Sequence, residues 1–269
     1  MIERKKWAIA GSGGGMRCVE GAGVRYKLAE LGYPHPDIEV NISGNIPNAL
    51  YCMAGKHHLG WDIWTRDLPG DPELINWQRE GSILSVDQMV DKHFAVPGPL
   101  GLTREEIFSS HTRVFAATTH HATKRTKFFV NEDMQSGVDP LEVIRAGTAY
   151  VGLTRKWPVK INGERYSDGA LSTSLKDCIQ VAFDAGAEFV VAIDSRTDEE
   201  RKTFAEEFAS SGWSDKVALL QPESKAVMVT TNRADMEQSF YAGCKAVMQH
   251  PLLQRMFAGT MFPVRAQAA

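Results

Sequence analysis

Several things are scarce in this sequence, and each scarcity removes a class of protein. Cysteine occurs four times in 269 residues (Cys18, Cys52, Cys178, Cys244) and never as C-x-x-C. In a chain this long, such scattered cysteines are expected to be reduced and packed rather than to form a disulfide framework. Long apolar runs are missing too: none approaches the ~18 residues of a membrane-spanning helix. The charged start Met1-Ile2-Glu3-Arg4-Lys5-Lys6 is followed only by Trp7-Ala8-Ile9-Ala10 before Gly11, too short for a signal-peptide core. The expected location is therefore cytoplasmic, which still permits work at a membrane surface. There is no surplus of positive charge, since the net charge is −3, and so no argument for nucleic acid as a partner. The pairs His57-His58 and His120-His121 lack the spaced carboxylate or third ligand of a metal site.

What is present reads as one large α/β domain. A hydrophobic fraction of 43% over 269 residues can build a sizeable single core. Strand-like segments are predicted at 7–10, 40–43, 113–118, 127–130, 159–161, 165–166, 189–193 and 217–220. Helices are predicted at about 17–31, from 45 onward, and at 139–146, 175–185, 199–209 and 233–248. In the first of these, Val24, Leu28 and Leu31 form a core-facing stripe at i, i+4, i+7. Asn162-Gly163 between two strand segments is a hairpin signal. The alternation predicts a mostly parallel central sheet with helices on both faces. Residues 1–269 then make a single domain, with a helix-and-loop insertion at about 56–110. Its Trp61, Trp64, Trp77, Leu84, Met89 and Phe94 read as core covering one sheet edge, or as a lid or acyl-chain groove.

Two turns carry chemistry. Glu39-Val40-Asn41-Ile42-Ser43-Gly44-Asn45-Ile46-Pro47 begins as a strand, passes through one serine and enters a helix. Asn45 suits the N-cap and Pro47 the first helical turn. A serine between strand and helix can have its hydroxyl pushed out, as in a nucleophile elbow. The usual signature is G-x-S-x-G; here both glycines are asparagines, Asn41 and Asn45, residues that tolerate positive φ better than most. The other turn, Gly11-Ser12-Gly13-Gly14-Gly15-Met16-Arg17, presents backbone N–H groups at a helix start. A dinucleotide fingerprint fails there, because Gly11 and Gly13 lead to Met16, and Gly13 and Gly15 lead to Cys18. A P-loop fails for want of Gly-Lys-Ser/Thr. An oxyanion hole needs only N–H groups beside a nucleophile, and neighbouring parallel strands would bring the two turns together.

These two turns, followed by Asp168-Gly169-Ala170, resemble in content and order the patatin-like phospholipase family. That family's marks are a glycine-rich oxyanion turn, a Gly-x-Ser-x-Gly elbow and an Asp-Gly-Gly/Ala motif with a dyad aspartate. The flanks are similar too: Val143-Ile144-Arg145-Ala146-Gly147-Thr148-Ala149 ahead of the aspartate, the hairpin Ile161-Asn162-Gly163-Glu164-Arg165-Tyr166-Ser167 into it, and Phe189-Val190-Val191-Ala192-Ile193-Asp194 after it. The resemblance spans about 7–194 and continues faintly near Gly243. It implies a three-layer α/β/α fold and a serine acyl hydrolase. Ser43 would be the nucleophile, Asp168 its base without an intervening histidine, and Gly13, Gly14, Gly15 and Met16 the oxyanion hole. Arg17 would orient or support that turn, and Asn41, Gly44 and Asn45 would shape the elbow. No metal or organic cofactor is implied. The implied substrates are acyl lipids or esters, with contact at a membrane periphery. Cys18 stands where the family has glycine, and Ser12 where plant members carry aspartate. The alternative is a catalytically weak or inactive patatin-fold protein that binds lipid or a partner.

Overall fold

The computed structural model describes residues 5–257; the first four residues of the charged N-terminus lie outside them. The strands are β1 (Trp7–Gly11), β2 (Ile38–Ile42), β3 (Arg113–His120), β4 (Thr126–Val130), β5 (Val159–Ile161), β6 (Glu164–Asp168), β7 (Phe189–Ile193) and β8 (Val217–Leu220). They form one eight-stranded sheet in the order β5-β6-β3-β2-β1-β7-β8, with β4 also on β3. β3, β2, β1, β7 and β8 are parallel to their neighbours in that run. β4 and β6 are antiparallel to β3, and β5 to β6. β1, β2 and β7 are buried along their whole length, as strands covered on both faces must be.

The helices are α1 (Val19–Glu30), α2 (Asn45–Met53), α3 (Gly60–Asp62), α4 (Val86–Gln88), α5 (Arg104–Ser109), α6 (Asn131–Gln135), α7 (Pro140–Gly147), α8 (Leu175–Asp184), α9 (Asp198–Ala209), α10 (Arg233–Gln249) and α11 (Pro251–Phe257). Side chains alternate across the sheet and give each face its own core. Ala8, Ala10, Val40, Val190 and Ala192 pack on Leu175, Ile179 and Ala182 of α8 and Phe204 of α9. On the opposite face Trp7, Ile9, Val191 and Ile193 pack on Val24 and Leu28 of α1 and on Val247 of α10. The β3 residues Val114 and Ala116 share a further cluster with Ile46 of α2 and Val143 of α7. The result is a three-layer α/β/α molecule with a mostly parallel sheet. Among the described residues, no helix is long and apolar enough to cross a membrane. All four cysteines are free and buried.

Some elements depart from the sequence reading. The glycine turn first enters a 3-10 turn (Gly15–Cys18), so α1 starts at Val19 rather than Arg17. It ends at Glu30, leaving Leu31 past the last turn and 37% exposed; the stripe is Val24 and Leu28 alone. Asn45 is not the N-cap. Gly44 holds that place, and Asn45 is the first residue of α2 with its side chain turned inward. In the 56–110 segment, Trp64, Leu84, Met89 and Phe94 are buried and Trp61 is partly buried against the same cluster, but Trp77 is 70% exposed and so is not core.

α1 is wedged between sheet and α10. A Cβ on Gly23 would lie 2.1 Å from the Phe240 carbonyl oxygen, and one on Gly243 would lie 2.2 Å from the Glu20 carbonyl oxygen. The two backbones therefore touch at reciprocal glycines.

Candidate active site

β1 and β2 are paired to their ends, with Gly11 opposite Asn41, so the turns that follow them emerge side by side. Ser43 is the residue after β2 and has φ +54, an angle that non-glycine residues adopt at a cost of about 1–2 kcal/mol. Its N–H and side chain are thereby swung out of the strand direction, and α2 starts two residues later. Ser43 is 9% exposed. Its Oγ–H donates to Asp168 Oδ2 at 2.7 Å.

Sheet register brings Asp168 there. β2 pairs with β3 as far as Ile42 opposite Ala117, and β6 pairs with β3 from Asp168 opposite Thr118. β4 occupies β3 from Phe115 to Thr119, and a strand has only two edges. β2 and β6 must therefore share the other edge, one stopping where the other begins. Asp168 is 2% exposed, and its Oδ1 accepts the Ala170 N–H at 2.8 Å. Burial pushes its pKa up from 3.8 to about 6, against the opposing hydrogen bonds from Ser43 and Ala170. A carboxylate made more basic in this way is suited to accept a hydroxyl proton.

The glycine turn closes over the serine. A Cβ on Gly13 would stand 3.1 Å from Ser43 Cβ, and one on Gly14 would lie 2.4 Å from the Ser195 carbonyl oxygen. Gly15 has φ +60 and would place a Cβ 2.5 Å from the Met228 oxygen. Among the described residues none accepts a hydrogen bond from the N–H of Gly13, Gly14 or Gly15. The Met16 N–H differs: it donates to the Met228 oxygen at 3.0 Å. That bond removes Met16 from the set of free donors and leaves the three glycines. Arg17 lines the cleft, and its Nε–H donates to the Ala226 oxygen at 3.3 Å, tying the turn to the same loop.

Asn41, Gly44 and Asn45 lie beneath the serine. Neither asparagine has positive φ, since Ser43, Lys124 and Asn162 alone do among described non-glycine residues. The idea that they stand in for glycine's backbone freedom is thereby corrected. Both are fully buried and accept hydrogen bonds from Arg25, at 2.7 Å to Asn41 Oδ1 and 3.0 Å to Asn45 Oδ1. Gly44 remains indispensable for space, as a Cβ there would meet the Gly15 oxygen at 2.9 Å. Cys18 fills that space from the other side; burial raises its thiol pKa, so it stays a packed thiol.

No protein-family model matches this chain, and no curated protein matches it. Among solved structures it is similar to VipD from Legionella pneumophila, with a TM-score of 0.56 at 9% sequence identity, over 92% of this chain and 67% of that one. The fold is patatin-like.

In this patatin-like fold the serine, the aspartate and the glycines open into a cleft of about 350 Å³. Its walls add Leu84 from the 56–110 segment, Tyr150, Leu153 and Thr154 from the loop after α7, and Met228. Arg196 also reaches it but is held by Asp194 at 2.7 and 2.9 Å. Among the described residues, no group of three or more His, Cys, Asp or Glu side chains could hold a metal ion. Two features went unread in the sequence. The loop around Met228 carries no motif, and Arg25 is one of several charged residues in α1, beside Glu20, Lys27 and Glu30, so nothing local marks it as buried. The signal that would have found the Arg25–Glu39 pair is Glu39, the single charge in a strand otherwise made of apolar residues and one asparagine, which calls for a buried cation beside it.

Proposed function

We propose that this chain is a serine acyl hydrolase that cleaves carboxylic esters of acyl lipids with a Ser43–Asp168 dyad. The observation that carries the reading is the 2.7 Å hydrogen bond from Ser43 Oγ to a buried carboxylate, beside a glycine turn whose Gly13, Gly14 and Gly15 N–H groups have no partner among the described residues. Ser43 Oγ attacks the ester carbonyl carbon while its proton passes to Asp168 Oδ2. The negative charge on the tetrahedral oxygen is met by N–H groups of Gly13, Gly14 and Gly15, already fixed in place before reaction. Collapse breaks the C–O bond, and the departing alcohol takes the proton from Asp168. A water then gives Asp168 its proton, attacks the acyl carbonyl and releases the acid, and Ser43 regains its proton. The fit to lipid rests on the patatin-like fold and on the apolar cleft wall of Leu84, Tyr150, Leu153 and Met228.

The test is labelling with a fluorophosphonate together with turnover of p-nitrophenyl butyrate. Wild type is expected to label at Ser43 and to hydrolyse the ester. Ser43→Ala should lose labelling and lose ~10³–10⁶ in kcat. Turnover that survives in Ser43→Ala would move the nucleophile elsewhere.

A further inference from the structure

Arg25 projects from α1 beneath the strand–helix turn and is 4% exposed. Its guanidinium has five N–H donors, and each has a partner. Nε and Nη2 clasp Glu39 at 3.1 and 2.8 Å. Nη2 also reaches Asn41, while Nη1 reaches Asn45 and the Gly21 oxygen. The asparagines are in turn anchored. Asn41 Nδ2 donates to Glu39 Oε2 at 2.7 Å, and Asn45 Nδ2 donates to the Ser12 oxygen at 2.8 Å. Space for their side chains comes from glycines on neighbouring elements. A Cβ on Gly11 would lie 2.5 Å from Asn41 Oδ1, and one on Gly21 would lie 2.1 Å from Asn45 Oδ1.

We propose that Arg25, acting through Asn41 and Asn45, is the positioning residue of Ser43: one rigid fork grips both ends of the turn at whose apex the serine stands. Asn41 is the last residue but one before Ser43, and Asn45 is the second after it. Fixing both ends holds the serine at its positive φ, a conformation that the local sequence does not favour. Asn45 extends the grip to Ser12, the residue before Gly13, so nucleophile and glycine cradle are set by one network. A lysine at position 25 would supply a point charge with three donors and could not span both amides. This inference rests on the reading of Ser43 as the nucleophile for its kinetic consequence, but its structural claim can be measured separately.

The experiment compares wild type, Asn45→Ala and Arg25→Lys, each assayed below its melting temperature. The readouts are kcat and KM on p-nitrophenyl butyrate, the fluorophosphonate labelling rate at Ser43, and amide exchange at Ile46, whose N–H donates to the Ser43 oxygen at 2.9 Å. In wild type the Ile46 amide should exchange only with global unfolding. In both variants it should exchange by local opening, and kcat and labelling should fall ~10²-fold, the cost of a nucleophile misplaced by about 1 Å, while KM stays within about threefold. Alanine suits the first turn of a helix, so Asn45→Ala keeps the comparison available should Arg25→Lys not fold. A folded variant with unchanged kcat and unchanged Ile46 exchange would overturn the proposal, as would local opening at Ile46 in wild type. If wild type neither labels nor turns over while Ile46 behaves as expected, the hydrolase reading falls and the grip on the turn stands.

Discussion

Asp168 carries the balance between folding and chemistry at the level of single residues. With its pKa at about 6 in the fold and near 3.8 when exposed, the folded state holds a proton between those values that the unfolded chain has released. The contribution of Asp168 to stability therefore falls as pH rises from about 4 to about 6, and that loss is complete above the window. At pH 7 it amounts to ~3 kcal/mol. Asp168→Asn removes the buried charge. It should leave the protein inactive yet more stable than wild type at pH 7 by up to that amount, with the gap nearly gone at pH 4. Urea denaturation of both proteins at the two pH values measures this, and the difference isolates Asp168 from Glu20, which burial raises to about 7 in each. A gap that does not shrink toward pH 4 would mean that the carboxylate is not paying a burial cost. In the proposed mechanism the same ionisation governs catalysis, because only the carboxylate can accept the Ser43 proton. On a neutral ester, kcat/KM should fall below about pH 6 as a single titration. A rate that is flat from pH 5 to 8 would rule out Asp168 as the base.

Among the elements, the crossing of α1 and α10 is the least forgiving. Gly23 and Gly243 each face a backbone oxygen at about two ångströms from where a Cβ would sit, and a carbonyl cannot rotate away as a side chain can. Gly243→Ala and Gly23→Ala should each destabilise by ~1–3 kcal/mol or more, read from the midpoint of urea unfolding. A loss below ~0.5 kcal/mol would show that the helices part without cost. Local elements were legible where a local rule decides them. Asn162 and Gly163 have φ +50 and +88, the paired positive angles of the hairpin turn that Asn-Gly prefers. Asn45 was misread because capping preferences describe a side chain free to turn back on its own helix, whereas here a buried guanidinium from α1 takes its oxygen. The free N–H groups were read as four residues, but Met16 proved to be engaged by Met228, a contact across more than two hundred residues that no local pattern encodes.

For the whole molecule, the strand–helix alternation sufficed to predict the layers and the parallel core. It could not reveal that β4 and β6 are both antiparallel partners of β3, since that is a property of register between distant segments. Nor could periodicity describe α1, which buries Glu20 and Arg25 beside its apolar residues because Arg201 and Glu39 pair with them. Ser43 and Asp168, 125 residues apart in the chain, meet only because β2 and β6 lie end to end along one edge of β3. A slip of one residue in β6 would turn Asp168 to the opposite face. If Ser43 is the nucleophile proposed above, its reactivity is a clock for closure of the sheet. During refolding from urea, capture of the serine by a fluorophosphonate should begin only with the last rise of native tryptophan fluorescence, and in step with it. Serine trapped earlier, while that signal is still developing, would mean that the turn becomes reactive before its distant partner strand has arrived.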